Sequence, residues 1–164
     1  MTAFVIDSFD YCRHGERREG DLPVAGLQRL SEDTADGAGT IHWVLQGGTD
    51  RLGHARLNLA ITGEVQLMCQ RCLTPFPFAI DSASSLILAR DEAHIEGIDA
   101  ILEDDSVDVI VGSTIFNVLE LIEDEALLAL PLAPKHEVCP DKETLAALKA
   151  SGRPSPFAAL KNLK

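Results

Sequence analysis

The sequence predicts an α+β fold: an antiparallel β-sheet of about four to six strands, open or partly closed into a barrel, with one helix packed on it and a short C-terminal helical tail. Three observations carry this. Leu57, Leu59, Ile61, Val65, Leu67 and Cys69 occupy odd positions, with Asn58, Thr62, Glu64 and Gln66 between them. Side chains alternate across a strand, so this is a long strand with its odd face in a core. Shorter alternations flank it, at Ile41, Trp43 and Leu45 and at Phe76, Phe78 and Ile80. The third observation is a helical stripe within Ile115–Leu130, where Val118, Leu119, Ile122, Ala126 and Ala129 share one face.

The totals bound the rest. The 164 residues suit one domain over residues 1–150, with a linker and tail over 151–164. Such a domain buries a core without disulfides. Fourteen Lys and Arg against 26 Asp and Glu leave a net charge of −12. That balance argues against broad binding to a phosphate backbone. It favours a basic partner, or a local basic patch on an acidic body. The opening residues, MTAFVIDSFD, have no basic start and no long apolar run, so no export signal is expected. The longest apolar stretch, residues 126–134, is too short to span a membrane. The expected compartment is cytoplasmic. Cys12, Cys69, Cys72 and Cys139 are then expected as reduced thiols or metal ligands.

In chain order, residues 4–6 read as a short first strand. Residues 12–20 hold the densest basic cluster, Arg13, Arg17 and Arg18 with His14. This cluster reads as a solvated loop or as an RNA-phosphate contact. Asp21 and Pro23 suit the start of a helix bearing Val24, Leu27 and Leu30. Residues 31–39 read as an acidic loop, and Gly47, Gly48 and Gly53 as a turn. Gly63 reads as a bulge or bend in the long strand. Pro75 and Pro77 each lack a ladder donor, so the return strand should begin as an edge or a bulge. Residues 90–105 form an acidic connection, and Val107–Val111 a short strand. Ser113 or Thr114 is the expected cap of the long helix. Phe116 and Leu127 fall near its polar face and leave a self-association surface open. Glu125 falls in its apolar sector, where a carboxylate needs a partner. Arg71 is the first candidate. Beyond Pro131 and Pro134, a turn holds His136 and Cys139, and a short helix should run to Lys149. In the tail, Phe157, Leu160 and Leu163 line one side, with Lys161 and Lys164 as basic groups. Such a tail is an interaction peptide, or it folds back on its own chain.

One constellation carries chemistry. Cys69, Cys72, His136 and Cys139 offer four N/S ligands as two close pairs on separate turns. That pattern suits a structural zinc with no open position for water. The other reading is packed or free thiols with no cofactor. A thiol redox protein using Cys69 and Cys72 is the alternative from a different class. Thiolate activation commonly uses a helix N-terminus, whereas this pair lies between strands. No Gly-rich phosphate loop, nucleophile elbow or His-Glu-x-x-His motif occurs, so neither an enzyme nor a small-molecule substrate is expected.

Three blocks occur in a fixed order: Gly63-x-Val65-x-Leu67-x-Cys69-Gln70-Arg71-Cys72-Leu73 with Pro75-Phe76, then LIEDEALLALPLAPKHEVC over residues 121–139, then Pro156-Phe157-Ala158-Ala159-Leu160. Together they resemble the YceD family, bacterial and plastid proteins named for accumulation of large-subunit ribosomal RNA. The resemblance covers the chain from about residue 55. It implies a non-catalytic role in making or stabilising the large ribosomal subunit. On that reading Gln70 and Arg71 at the hairpin tip, the Arg13, Arg17 and Arg18 cluster, and the tail with Phe157, Leu160 and Lys161 would contact precursor ribosomal RNA or a ribosomal protein. Alternatively, the acidic helix face and residues 90–105 would hold a basic ribosomal protein. Some relatives carry a richer C-terminal cysteine cluster, where this chain has only Cys139.

Overall fold

A computed structural model describes residues 4–139. In chain order it forms β1 (Val5–Ile6), α1 (Ser8–Arg13), β2 (Arg17–Pro23), a 3-10 turn (Val24–Gly26), α2 (Gln28–Asp33), β3 (Gly39–Thr49), β4 (Ala55–Met68), β5 (Pro75–Ala89), α3 (Glu92–Asp99), β6 (Val107–Val111), β7 (Phe116–Asn117) and α4 (Val118–Ala129). The expected helix to Lys149, the linker, and the tail bearing Phe157, Leu160 and Lys161 lie outside the described residues.

The frame is a five-stranded sheet in the order β2-β3-β4-β5-β6. It is mixed α/β and open, not closed into a barrel. The expected all-antiparallel sheet needs one correction, because β6 pairs parallel to β5 from Ser85–Val107 to Ala89–Val111. A parallel neighbour needs a crossover. Residues 90–106 supply it, and α3 lies within them. β1 and β7 form a separate two-stranded pair.

The central hairpin follows the alternation. Leu57, Leu59, Ile61, Val65, Leu67 and Cys69 are all buried, and Ile41, Trp43, Leu45 and Ile80 meet them across the sheet. Pro75 and Pro77 sit where β5 pairs only with β4, on its free edge. Gly63 is not a bulge: its register runs unbroken from Ile41 on one side to Ile80 on the other. A Cβ there would meet the Thr40 carbonyl oxygen at 2.5 Å and Ile41 Cδ1 at 2.8 Å. Glycine is needed for close approach. Likewise Gly47 and Gly48 belong to β3 rather than to a turn, and the chain reverses at residues 50–54.

Two helix expectations shift. Asp21 and Pro23 end β2 instead of starting a helix. The stripe they precede is real, with Val24, Leu27 and Leu30 buried. The long helix begins at Val118, and Asn117 caps it by accepting the Leu119 N–H at 3.1 Å. Phe116 is drawn into the strand pair with β1, opposite Ile6, so residues 115–117 are not helical.

Candidate metal centre

The centre is assembled where β4 runs out. Cys69 donates its N–H to the Thr74 carbonyl at 3.0 Å, and Leu73 donates to the Cys69 carbonyl at 2.9 Å. Leu73 takes φ 58°, a left-handed conformation uncommon for a bulky residue, which lets so short a loop turn back. The segment after α4 docks on this tip. Gln70 N–H donates to the Pro134 carbonyl at 2.9 Å. The Arg71 guanidinium donates to the carbonyls of His136 and Glu137. The His136 ring lies 4.8 Å, centroid to centroid, from the Phe76 ring.

These contacts bring the four sequence candidates together. Ligand atoms of Cys69, Cys72, His136 and Cys139 all lie within 4.8 Å of one another. Cys69 Sγ is 3.8 Å from Cys139 Sγ, and Cys72 Sγ is 3.3 Å from His136 Nδ1. A tetrahedron with Zn–S bonds of about 2.3 Å has sulfurs about 3.8 Å apart. A disulfide would need about 2.05 Å, so Cys69 and Cys139 are free thiols in a metal-sized cluster. Three sulfurs and one imidazole are a structural-zinc donor set, and the residues fit the ion.

The local field favours thiolate. Burial would raise the Cys69 thiol, but backbone N–H groups of Cys72, His136 and Arg71 outweigh it and bring the pKa down to about 5. Cys139 moves up, from burial first and then from the Cys69 and Cys72 sulfurs beside it. Cys69 is fully buried, so no external disulfide reaches it.

Of the other predicted residues, Gln70 and Arg71 lie at this centre in the hairpin tip, whereas the arginine cluster and Glu125 do not. Arg13 ends α1 and pairs with Asp10 at 2.5 Å. Arg17 and Arg18 lie in β2 rather than in a loop, pairing with Glu19 at 2.6 Å and Glu16 at 3.3 Å. Arg18 also lies over the Tyr11 ring. Gln70 and Arg71 are exposed. Glu125 is half-buried and accepts from Ser82 Oγ at 2.5 Å, not from Arg71. The buried carboxylate of α4 is Glu123, at 8% exposure. It accepts the N–H of Arg29 at 2.7 Å and of Leu30 at 3.2 Å, and Arg29 Nε at 3.0 Å. Those amides open α2, whose own N-cap position is Leu27 with no side-chain cap, so Glu123 caps α2 from another helix. A helical wheel puts Glu123 on the polar face, and only the docking of α2 buries it. Sequence reasoning also missed the contact of His54 with Asp50, 2.9 Å apart across the β3–β4 turn, whose only signal is a four-residue spacing.

The fold and the cluster define a mixed α/β scaffold with a cysteine–histidine centre at the tip of its longest hairpin. A family model described as large ribosomal RNA subunit accumulation protein YceD matches residues 57–164. The chain belongs to the YceD family. The matched stretch takes in the long strand, the whole centre and α4. No solved structure matches. Among the described residues, no helix is long and apolar enough to cross a membrane.

Proposed function

We propose that this chain acts without catalysis in large ribosomal subunit biogenesis, by holding a basic large-subunit protein against its acidic surface. The family description supports the process. Charge distribution carries the choice of partner. Every carboxylate from Asp91 to Asp108 is exposed, from the cap of α3 through the connection after it to the start of β6. By contrast, Arg13, Arg17 and Arg18 each already pair with a carboxylate, which weakens them as an RNA-phosphate patch. The centre serves as framework: zinc would be held by Cys69, Cys72, His136 and Cys139, locking the tip to residues 134–139 and presenting Gln70. The tail over residues 151–164, with Phe157, Leu160 and Lys161, is a second proposed contact, separate from a domain over 1–150.

The test is co-migration of the full chain with purified basic large-subunit proteins across a salt series. A complex that dissociates as salt rises, and that Glu103→Gln with Asp104→Asn and Asp105→Asn weakens, supports the reading. Retention of large-subunit RNA in the absence of protein, abolished by Arg17→Glu with Arg18→Glu, overturns it in favour of direct RNA contact. Rapid titration of two thiols at neutral pH in protein isolated without metal would revive the redox alternative.

A further inference from the structure

A hollow of about 570 Å³ opens at the opposite end of the hairpin from the cysteine cluster. β4 is 14 residues long, so the two lie roughly 40 Å apart along the strand. Six segments contribute: α1, the end of β3, the β3–β4 turn, the start of β4, the end of β5 with the residue after it, and α3. Phe9, Leu88 and Ile98 give it apolar surface. Arg13, His54, Arg90 and His94 give it basic groups. No Asp or Glu lines it, in a chain with 26 of them.

Three of the four basic groups are paired with a carboxylate. Asp10 holds Arg13 at 2.5 Å, Asp50 holds His54 Nδ1 at 2.9 Å, and Asp91 holds His94 Nδ1 at 2.6 Å. Among the described residues Arg90 has no hydrogen-bond or ion-pair partner. Burial works to raise the Asp50 carboxyl, but the His54 ring and the N–H groups of His54 and Leu52 hold it below the usual range. An ionised Asp50 accepts a hydrogen bond from the Nδ1–H of His54 and leaves Nε2 for a ligand, and it is the imidazolium form that carries the Nε2–H needed to donate to phosphate. Cys12 also lines the hollow, yet its thiol donates to the Arg56 carbonyl at 3.2 Å and burial pushes its pKa up. It is a neutral thiol, so the hollow is built for binding.

We infer that this hollow is a nucleotide site, with phosphate held chiefly by Arg90, which pairs with no carboxylate among the described residues, with weaker contacts from the carboxylate-paired Arg13 and His54, and with the nucleoside against the Phe9, Leu88 and Ile98 surface. Planar guanidinium forks match phosphate oxygens in pairs. Small-molecule sites typically span roughly 300–1,000 Å³, with mostly apolar walls and a few placed polar groups. A bare inorganic anion would leave the apolar surface without a use. The nucleotide is either free or one unit of an RNA strand. The inference goes beyond the proposed function, because it requires no contact with a ribosomal protein and no part of the Arg17–Arg18 strand.

The experiment is amide NMR and calorimetry on the full chain with adenosine 5′-monophosphate, inorganic phosphate and a ten-nucleotide single-stranded RNA. Saturable binding of the monophosphate should shift the amides of Gly53, His54 and His94. Arg90→Gln should weaken it at least tenfold, and Arg13→Gln less. Both positions are exposed, so the variants should keep the wild-type spectrum elsewhere. Arg17→Gln should change nothing. Displacement by the RNA assigns the site to a strand, and no displacement assigns it to a free nucleotide. Binding of none of the probes overturns the inference, as does affinity unchanged in both Arg90→Gln and Arg13→Gln, or inorganic phosphate binding as tightly as the nucleotide.

Discussion

At one end of the β4–β5 hairpin, four ligand atoms crowd within 4.8 Å and the surrounding N–H groups aim at sulfur. At the other, four basic side chains surround a hollow of about 570 Å³, three of them each held by its own carboxylate. The first arrangement is short-range. Two of its ligands are three residues apart on one turn, and the other two are three apart on a second turn. The second arrangement is composite, since α1, the β3–β4 turn, the residue after β5 and α3 each bring one basic group. A cluster of the first kind has the donor set and spacing of a structural zinc site. One of the second kind leaves an opening of about 570 Å³, which is of ligand size.

This contrast can be broken experimentally. The largest effect should come from Cys69→Ser. Zinc content by atomic absorption should fall from about one per chain to none, and the melting temperature should drop by roughly 10 °C or more, since a structural metal contributes directly to folding. Amides at Gly53 and His54 should stay in place. If they shift as much as the tip does, the two ends are one cooperative unit and the contrast fails.

Next is Glu123→Ala, which removes a buried cap and leaves the Arg29 and Leu30 amides unpaired. We expect a loss of about 2–3 kcal/mol in urea unfolding. Glu125→Ala, which frees only the Ser82 hydroxyl, should cost less than about 1 kcal/mol. Equal losses would restore Glu125 as the structural carboxylate. Between the two ends, Gly63→Ala should cost about 1–3 kcal/mol by overpacking against Thr40 and Ile41, with zinc content unchanged.

The smallest effect is a pH dependence at the far end. Asp50 has a folded pKa below its unfolded value of about 3.9. Its contribution is therefore complete above that unfolded value and lost as pH falls through the lower folded one. Wild type should lose more stability than Asp50→Asn between about pH 4 and pH 2, by thermal unfolding in low-salt buffer. Parallel acid limbs would show that Asp50 does not anchor His54.

Local chemistry in the sequence determined the long strand, its buried odd face, the hairpin tip at Cys69–Cys72 and the strand Val107–Val111. Each of these depends on a two-residue period or on a turn, and both act over neighbouring residues. The pairing of His136 with Cys139 was legible for the same reason. Tertiary structure alone decided the rest. A short apolar run reads the same in either orientation, so only the crossover through α3 makes β6 parallel to β5. A helical wheel fixes the angle between Glu123 and Glu125 but not which of them meets a second helix, and α2 docks on Glu123. Arg71 finds carbonyls of residues 136 and 137 because Gln70 and Pro134 bring that segment alongside. The basic hollow needs Arg13, His54, Arg90 and His94 from places up to 81 residues apart, and no local pattern encodes their meeting.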